Sequence, residues 1–259
     1  MTQQDGDLVG DSVERVNPGG SSSVVLVCEH ASNRIPEQYD NLGLSDAARQ
    51  SHIAWDPGAM AVARHLSQRL DAVLIAGTLS RLIYDCNRPP DAPDAIPERS
   101  EAFDVPGNTG LTPHQRAHRV GTVYQPFRAA LARTVAQAKT PVIVTIHSFT
   151  PVYLGQRRAV EIGVLHDNDR RLADAMLDIA PRHTDADVQR NQPYGPEHGV
   201  THTLREHALP GGHLNVMLEI RNDLIATDAN QRAMAGMLAI WIADAFARTH
   251  TKGAVTCTA

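Results

Sequence analysis

The chain is poor in cysteine: its 259 residues include three, Cys28, Cys86 and Cys257. None stands in a CxxC pair, which argues against a disulfide framework or a thiolate zinc site. Cys28 and Cys86 sit inside apolar runs and read as small core residues rather than reactive thiols. Aromatic residues are scarce, at 4%. No apolar run approaches the roughly 18 residues of a membrane-spanning helix. Met1 to Gly20 is polar and lacks the charged-then-apolar order of a secretory leader, so a cytoplasmic protein is expected. Positive charge is not in excess. The 24 Lys and Arg against 29 Asp and Glu leave a formal charge of −5, so neither nucleic acid nor an anionic membrane is expected as a partner. There is no GxGxxG after a strand and no GxxxxGK[ST], so a nucleotide-binding fold has no motif behind it.

Histidine, by contrast, is plentiful: thirteen against four phenylalanines. With so few thiols, this suits a metal site of nitrogen and oxygen ligands, although surface histidines would give the same count. Two histidines stand at the ends of similar segments, Ser23-Val-Val-Leu-Val-Cys-Glu29-His30 and Pro141-Val-Ile-Val-Thr-Ile-His147-Ser148. Runs rich in β-branched residues read as buried strands. In an open α/β sheet, ligands bind beyond the carboxyl ends of the strands.

Length and alternation predict one α/β domain over residues 23–250, with a mixed, mostly parallel sheet covered by helices on both faces. Residues 1–22 read as a flexible lead-in and 251–259 as a frayed tail. Strands are expected at 24–28, 72–75, 82–86, 142–146, 161–165 and 216–220. Ser45 is expected to cap a short helix, and Asp56-Pro57 to start a longer one with Asp56 as N-cap. Residues 87–114 and 181–212 are irregular and polar, and a long loop of this kind is usually functional or disordered.

A catalytic zinc site commonly has three protein ligands and an open position. His30 and His147 are two candidates, and Asp56 is the best-placed third, with Glu29 ranked lower as ligand or outer partner. Glu219 lies inside the apolar run Leu214-Asn-Val-Met-Leu-Glu219. Burying it there is costly unless it is paired or functional, so it is the candidate base, with a salt bridge to Arg221 as the alternative. Arg88, Arg158 and Arg221 stand near strand ends and suit the recognition of a carboxylate. Ser148 has no GxSxG elbow around it and is not a nucleophile. His202, among the histidines ahead of Glu219, is a candidate for lining the pocket.

Five segments in order, Val27-Cys-Glu-His-Ala-Ser-Asn33, His52-Ile-Ala-Trp-Asp56-Pro-Gly58, Ser80-Arg-Leu-Ile-Tyr-Asp-Cys-Asn-Arg-Pro89, Thr145-Ile-His-Ser-Phe-Thr-Pro151 and Leu218-Glu-Ile-Arg-Asn-Asp223, resemble the N-formylglutamate amidohydrolase family. The resemblance runs from about residue 23 to about residue 247. It implies a phosphorylase/hydrolase-like, zinc carboxypeptidase-like α/β fold and hydrolysis of a linear amide bond. By that resemblance, one Zn2+ per chain falls to His30, Asp56 and His147, and the general base to Glu219. Asn87-Arg88 matches a pair that grips a substrate carboxylate; Arg158, Arg221, Ser148 and His202 remain further substrate-binding candidates. The HxxE spacing of carboxypeptidases is absent, because Asn33 stands three residues after His30. The expected partner is a small N-acyl amino acid such as N-formylglutamate, from a route of histidine degradation. Two other readings stand beside this one: a non-catalytic module binding an acidic small molecule, and a zinc peptidoglycan amidase or carboxypeptidase.

Overall fold

The computed structural model describes residues 7–8, 12–255 and 257. In chain order the strands are β1 (Asp7–Leu8), β2 (Val13–Val16), β3 (Val24–Cys28), β4 (Val73–Gly77), the hairpin β5–β6 (Arg99–Ser100, Phe103–Asp104), β7 (Val142–Phe149), the hairpin β8–β9 (Val152–Tyr153, Gln156–Arg157), β10 (Ile162–Leu165), β11 (Val188–Arg190) and β12 (Leu214–Arg221). The α-helices are α1 (Asp46–Gln50), α2 (Ala59–Leu70), α3 (Pro113–Arg119), α4 (Gln125–Gln137), α5 (Arg171–Ile179), α6 (His202–His207) and α7 (Asp228–Arg248).

Eight strands form one sheet in the order β1-β2-β4-β3-β7-β12-β10-β11. The four central strands β4, β3, β7 and β12 are parallel neighbours. Antiparallel pairing enters on both sides, where β2 meets β4 and where β10 meets β12. The fold is therefore α/β with a mixed sheet and flanking helices, as the alternation of elements predicts.

Parallel strands buried on both faces read as continuous apolar runs, and all five residues of β3 and all eight of β7 are buried. Successive side chains alternate between faces. Val24, Leu26 and Cys28 enter one core with Val62 and Leu66 of α2 and Leu238 and Trp241 of α7. Val25 and Val27 enter a second core with Phe127 and Leu131 of α4 and with Leu82, Ile83 and Tyr84. The same alternation puts His147 and Glu219 on the second face, where they are register partners on adjacent strands.

Three local expectations give way. Residues 82–86 are a turn-rich segment, not a strand. Their carbonyls are satisfied by side chains instead of a neighbouring strand: Asn108 Nδ2 donates to Leu82 O at 2.8 Å and Arg119 Nη1 to Ile83 O at 3.1 Å. Within residues 1–22, Val13–Val16 is an ordered strand whose Val13 and Val16 are buried. Near the other end, the Ser23 amide donates to Ala254 O at 2.8 Å, which docks part of the expected tail. Among the described residues, no helix is long and apolar enough to cross a membrane.

Candidate active site

Glu29 and His30 directly follow β3, and His147 and Glu219 lie near the carboxyl ends of β7 and β12. Asp56 reaches the same place through a tight approach of backbone. Its amide donates to His30 O at 2.9 Å, and Gly58, two residues on, adopts φ +83 with its Cα against Ile225. A Cβ there would meet Ile225 O at 2.6 Å, so only glycine closes this turn without displacing the chain. Gly58, not Asp56, is the N-cap of α2. The Asp56 carboxylate is thereby free for another use, whereas Ser45 does cap α1 by accepting from the Ala48 amide.

Three atoms converge. Asp56 Oδ2 lies 3.0 Å from His147 Nδ1 and 3.3 Å from His30 Nδ1, and the two Nδ1 atoms are 3.2 Å apart. All three residues are buried, and they form the one candidate metal-holding cluster among the described residues. The far nitrogens face other carboxylates. His30 Nε2 meets Asp85 Oδ1 at 2.7 Å and His147 Nε2 lies 3.1 Å from Glu29 Oε2. A ring whose Nε2–H faces a carboxylate presents its Nδ1 lone pair inward. Glu29 thus stands behind His147, and Asp56 takes the middle position of the triad.

The donor set fits a divalent ion on two counts. Ligand atoms about 2.0–2.2 Å from a tetrahedral zinc stand about 3.3–3.6 Å from one another, close to the triangle seen. Charge points the same way. The carboxylates of Glu29, Asp56, Asp85 and Glu219 are buried close together, and Arg81 pairs with only two of them, Asp85 at 2.7 Å and Asp56 at 3.5 Å. Burial of uncompensated charge is costly, and a dication between the histidines relieves it.

The protonation equilibria follow from this crowding. Burial opposes ionisation of Asp56, but His30 and His147 hold its carboxyl well below the usual range. Burial likewise opposes the charge on Asp85, yet Arg81 and His30 keep it low. Glu219 behaves differently: burial, reinforced by the charge of Asp56, pushes its carboxyl up to about 7. Its Oε2 is buried and has no hydrogen-bond partner. The alternative of a salt bridge to Arg221 is not realised, because Arg221 pairs with Glu161 at 3.1 Å and Asp223 at 2.8 Å.

The triad and Glu219 open onto a cleft of about 350 Å³ that also includes Arg81, Arg88 and Tyr194. Asn87, Arg88 and Ser148 line it as well. Arg88 Nε binds the Asp94 carboxylate at 2.6 Å, while Asn87 Oδ1 accepts from the Thr203 amide at 3.0 Å. The Ser148 amide donates to Asp56 Oδ2 at 3.2 Å and its hydroxyl to Pro57 O at 2.8 Å, so this serine braces the triad. Arg158, Arg221 and His202 are not in the lining. Arg158 stands behind Tyr153 and Tyr194, and His202 Nε2 meets the Tyr124 hydroxyl at 2.8 Å. The roles of Asp85, Arg81 and Tyr194 go beyond the sequence reading. The clue for Asp85 was an acid inside the apolar stretch Leu82–Cys86, where it requires partners.

One consequence is measurable. Asp85 orients His30, and loss of such an outer partner typically weakens metal binding 10–100-fold. Asp85→Asn is expected to do so in competition with a chromophoric chelator, with Tm of the metal-free form little changed.

The chain is similar to known proteins in sequence and in fold. A crystal structure of a gene product from Agrobacterium tumefaciens is 52% identical, covers 94% of this chain and 98% of its own, and superposes with a TM-score of 0.91. The crystal structure of an N-formylglutamate amidohydrolase from Ralstonia eutropha JMP134 is 18% identical, covers 92% of this chain and 97% of its own, and has a TM-score of 0.59, a likeness of fold. No curated protein matches. The family model for N-formylglutamate amidohydrolase matches residues 22–226, which hold the triad and Glu219. The chain belongs to the N-formylglutamate amidohydrolase family.

Proposed function

We propose that this protein is a zinc-dependent amidohydrolase that removes the N-acyl group, formyl foremost, from an acidic amino acid such as N-formylglutamate, on a zinc carboxypeptidase-like version of the α/β fold. The observation that carries the reading is a buried carboxyl with an unpartnered oxygen, Glu219, sharing one cleft with three convergent metal-ligand atoms. Two histidines and a carboxylate are a usual protein complement of a hydrolytic zinc. When bound, the metal supplies Lewis acidity, polarising the acyl carbonyl and acidifying water.

The chain's own groups do the rest. Glu219 takes the proton of the attacking water and hands it to the departing amine. A carboxyl lifted toward neutrality is suited to both transfers, since it gains and loses a proton at small cost near pH 7. Arg88 receives the amino-acid carboxylate. Asp94 already places a carboxylate oxygen 2.6 Å from Arg88 Nε, so the subsite accepts that group, and Asp94, being half-exposed, can yield to substrate. Ser148 and Arg81 keep Asp56 in position from two sides.

The test is formate release from N-formyl-L-glutamate, run beside N-formyl-L-glutamine and N-acetyl-L-glutamate. Turnover of the formylated acid that disappears on chelation and returns with zinc is expected. Failure of the metal-loaded protein to cleave any N-acyl amino acid would contradict the reading.

A further inference from the structure

Tyr194 lines the cleft together with Glu219 and Arg81. Its hydroxyl oxygen lies 2.9 Å from Arg158 Nη2. Arginine only donates hydrogen bonds, so Tyr194 is the acceptor of this one and its own proton is directed elsewhere. Among the described residues no acceptor for that proton is present. Arg158 is itself tightly held. Its guanidinium carbon lies 4.5 Å from the centre of the Tyr153 ring, 5.0 Å from that of Tyr194 and 5.5 Å from that of Phe149, and Nη1 donates to Thr150 O at 3.3 Å. It has no carboxylate partner among the described residues. Attraction to three ring faces holds the guanidinium in place, which fixes the direction of its hydrogen bond to Tyr194. Burial and the nearby charge of Glu219 push the Tyr194 phenol up, so it stays protonated as a donor.

We propose that Tyr194 is a catalytic residue whose hydroxyl, aimed by Arg158, donates a hydrogen bond to the substrate oxygen that gains negative charge when the amide is attacked. The inference rests on the amide-hydrolysis reading above. No bond to the phenol forms or breaks; the proton stays on Tyr194, and Arg158 is a positioning residue that acts through it. Preorganised donors of this kind contribute most where water is excluded.

Tyr194→Phe keeps the ring against Arg158 and removes only the hydroxyl. On the best N-acyl amino acid substrate, the expected result is a kcat about 10²-fold lower, KM within about 2-fold of wild type and Tm unchanged. Arg158→Met is expected to show a similar loss, and Arg158→Lys a partial recovery. The double variant Y194F/R158M is expected to be no slower than Y194F alone, whereas independent roles would multiply. A raised KM with unchanged kcat would make Tyr194 a ground-state binding group and overturn the proposal, as would multiplicative losses in the double variant. Wild-type turnover with an unimpaired Y194F overturns this inference and leaves the hydrolase reading intact. Absence of wild-type turnover overturns both.

Discussion

Glu219→Gln is expected to lower kcat by about 10²–10⁴-fold while the protein still binds one metal ion. The amide is close to isosteric with the carboxyl, so the β12 neighbourhood keeps its packing. What is lost is a group able to accept and return a proton. The carboxyl is 5% exposed, and its unpartnered oxygen has no structural hydrogen bond to lose. Stability therefore changes little, or rises slightly as a buried charge is removed. The pH profile gives an independent readout. A general base works only when deprotonated, so kcat/KM falls as pH drops through the Glu219 pKa. Burial lifts that value from 4.5 to about 7, and a bound cation draws it back down, so the acid limb is expected between those limits. In E219Q that limb disappears. Wild-type kcat with an unaltered acid limb in E219Q would remove Glu219 from the mechanism.

Asp56→Ala is expected to abolish stoichiometric metal binding and with it all detectable turnover. Asp56 is the one anion in the triangle, touching both Nδ1 atoms. Without it two imidazoles remain, held by Asp85 and Glu29 from behind, and two neutral nitrogens are a weak site for a divalent ion. The effect reads out in stability as well. A ligand that binds only the folded state stabilises it by RT ln(1 + [L]/Kd), about 2.7 kcal/mol at 100-fold excess over Kd. Added zinc should raise the wild-type Tm by several degrees and leave D56A unmoved. The gain should grow from pH 6 to pH 8. Burial works against a proton on His147, but Glu29 and Asp56 raise its pKa well above the ordinary value, so protons compete with the metal more strongly at lower pH. A D56A protein that takes up zinc with wild-type affinity would show that the ion sits elsewhere.

The parts of this molecule legible in the sequence are those set by local pattern. The apolar runs ending at His30, at His147 and around Glu219 identify β3, β7 and β12, because a parallel strand buried on both faces needs such a run. Since His30, His147 and Glu219 sit at or near the ends of those runs, the two histidines of the triad and the proposed base came with the strands. Leu82–Cys86 reads the same way but is not a strand. Its apolar side chains do enter a core, while Asn108 and Arg119, distant in sequence, satisfy its backbone. Tertiary partners of this kind leave no local mark. For the same reason, the arginines could be seen as a set but not sorted. Arg88 faces the cleft, the buried Arg221 is taken up by ion pairs with Glu161 and Asp223, and Arg158 stands one layer back behind two tyrosines. Only the fold decides which charges converge. Asp56 shows the limit from the other side. The Asp-Pro pair suggested a helix cap, but the left-handed Gly58 shifts the helix start by enough to release the carboxylate to the histidines.

The most direct test of a divalent metal held by His30, Asp56 and His147 is a zinc-edge anomalous difference map from crystals of zinc-loaded protein. One strong peak is expected within about 2.0–2.2 Å of His30 Nδ1, Asp56 Oδ2 and His147 Nδ1, lost in Asp56→Ala. A strong peak at other residues, or none between these three in protein that carries stoichiometric zinc, would contradict it.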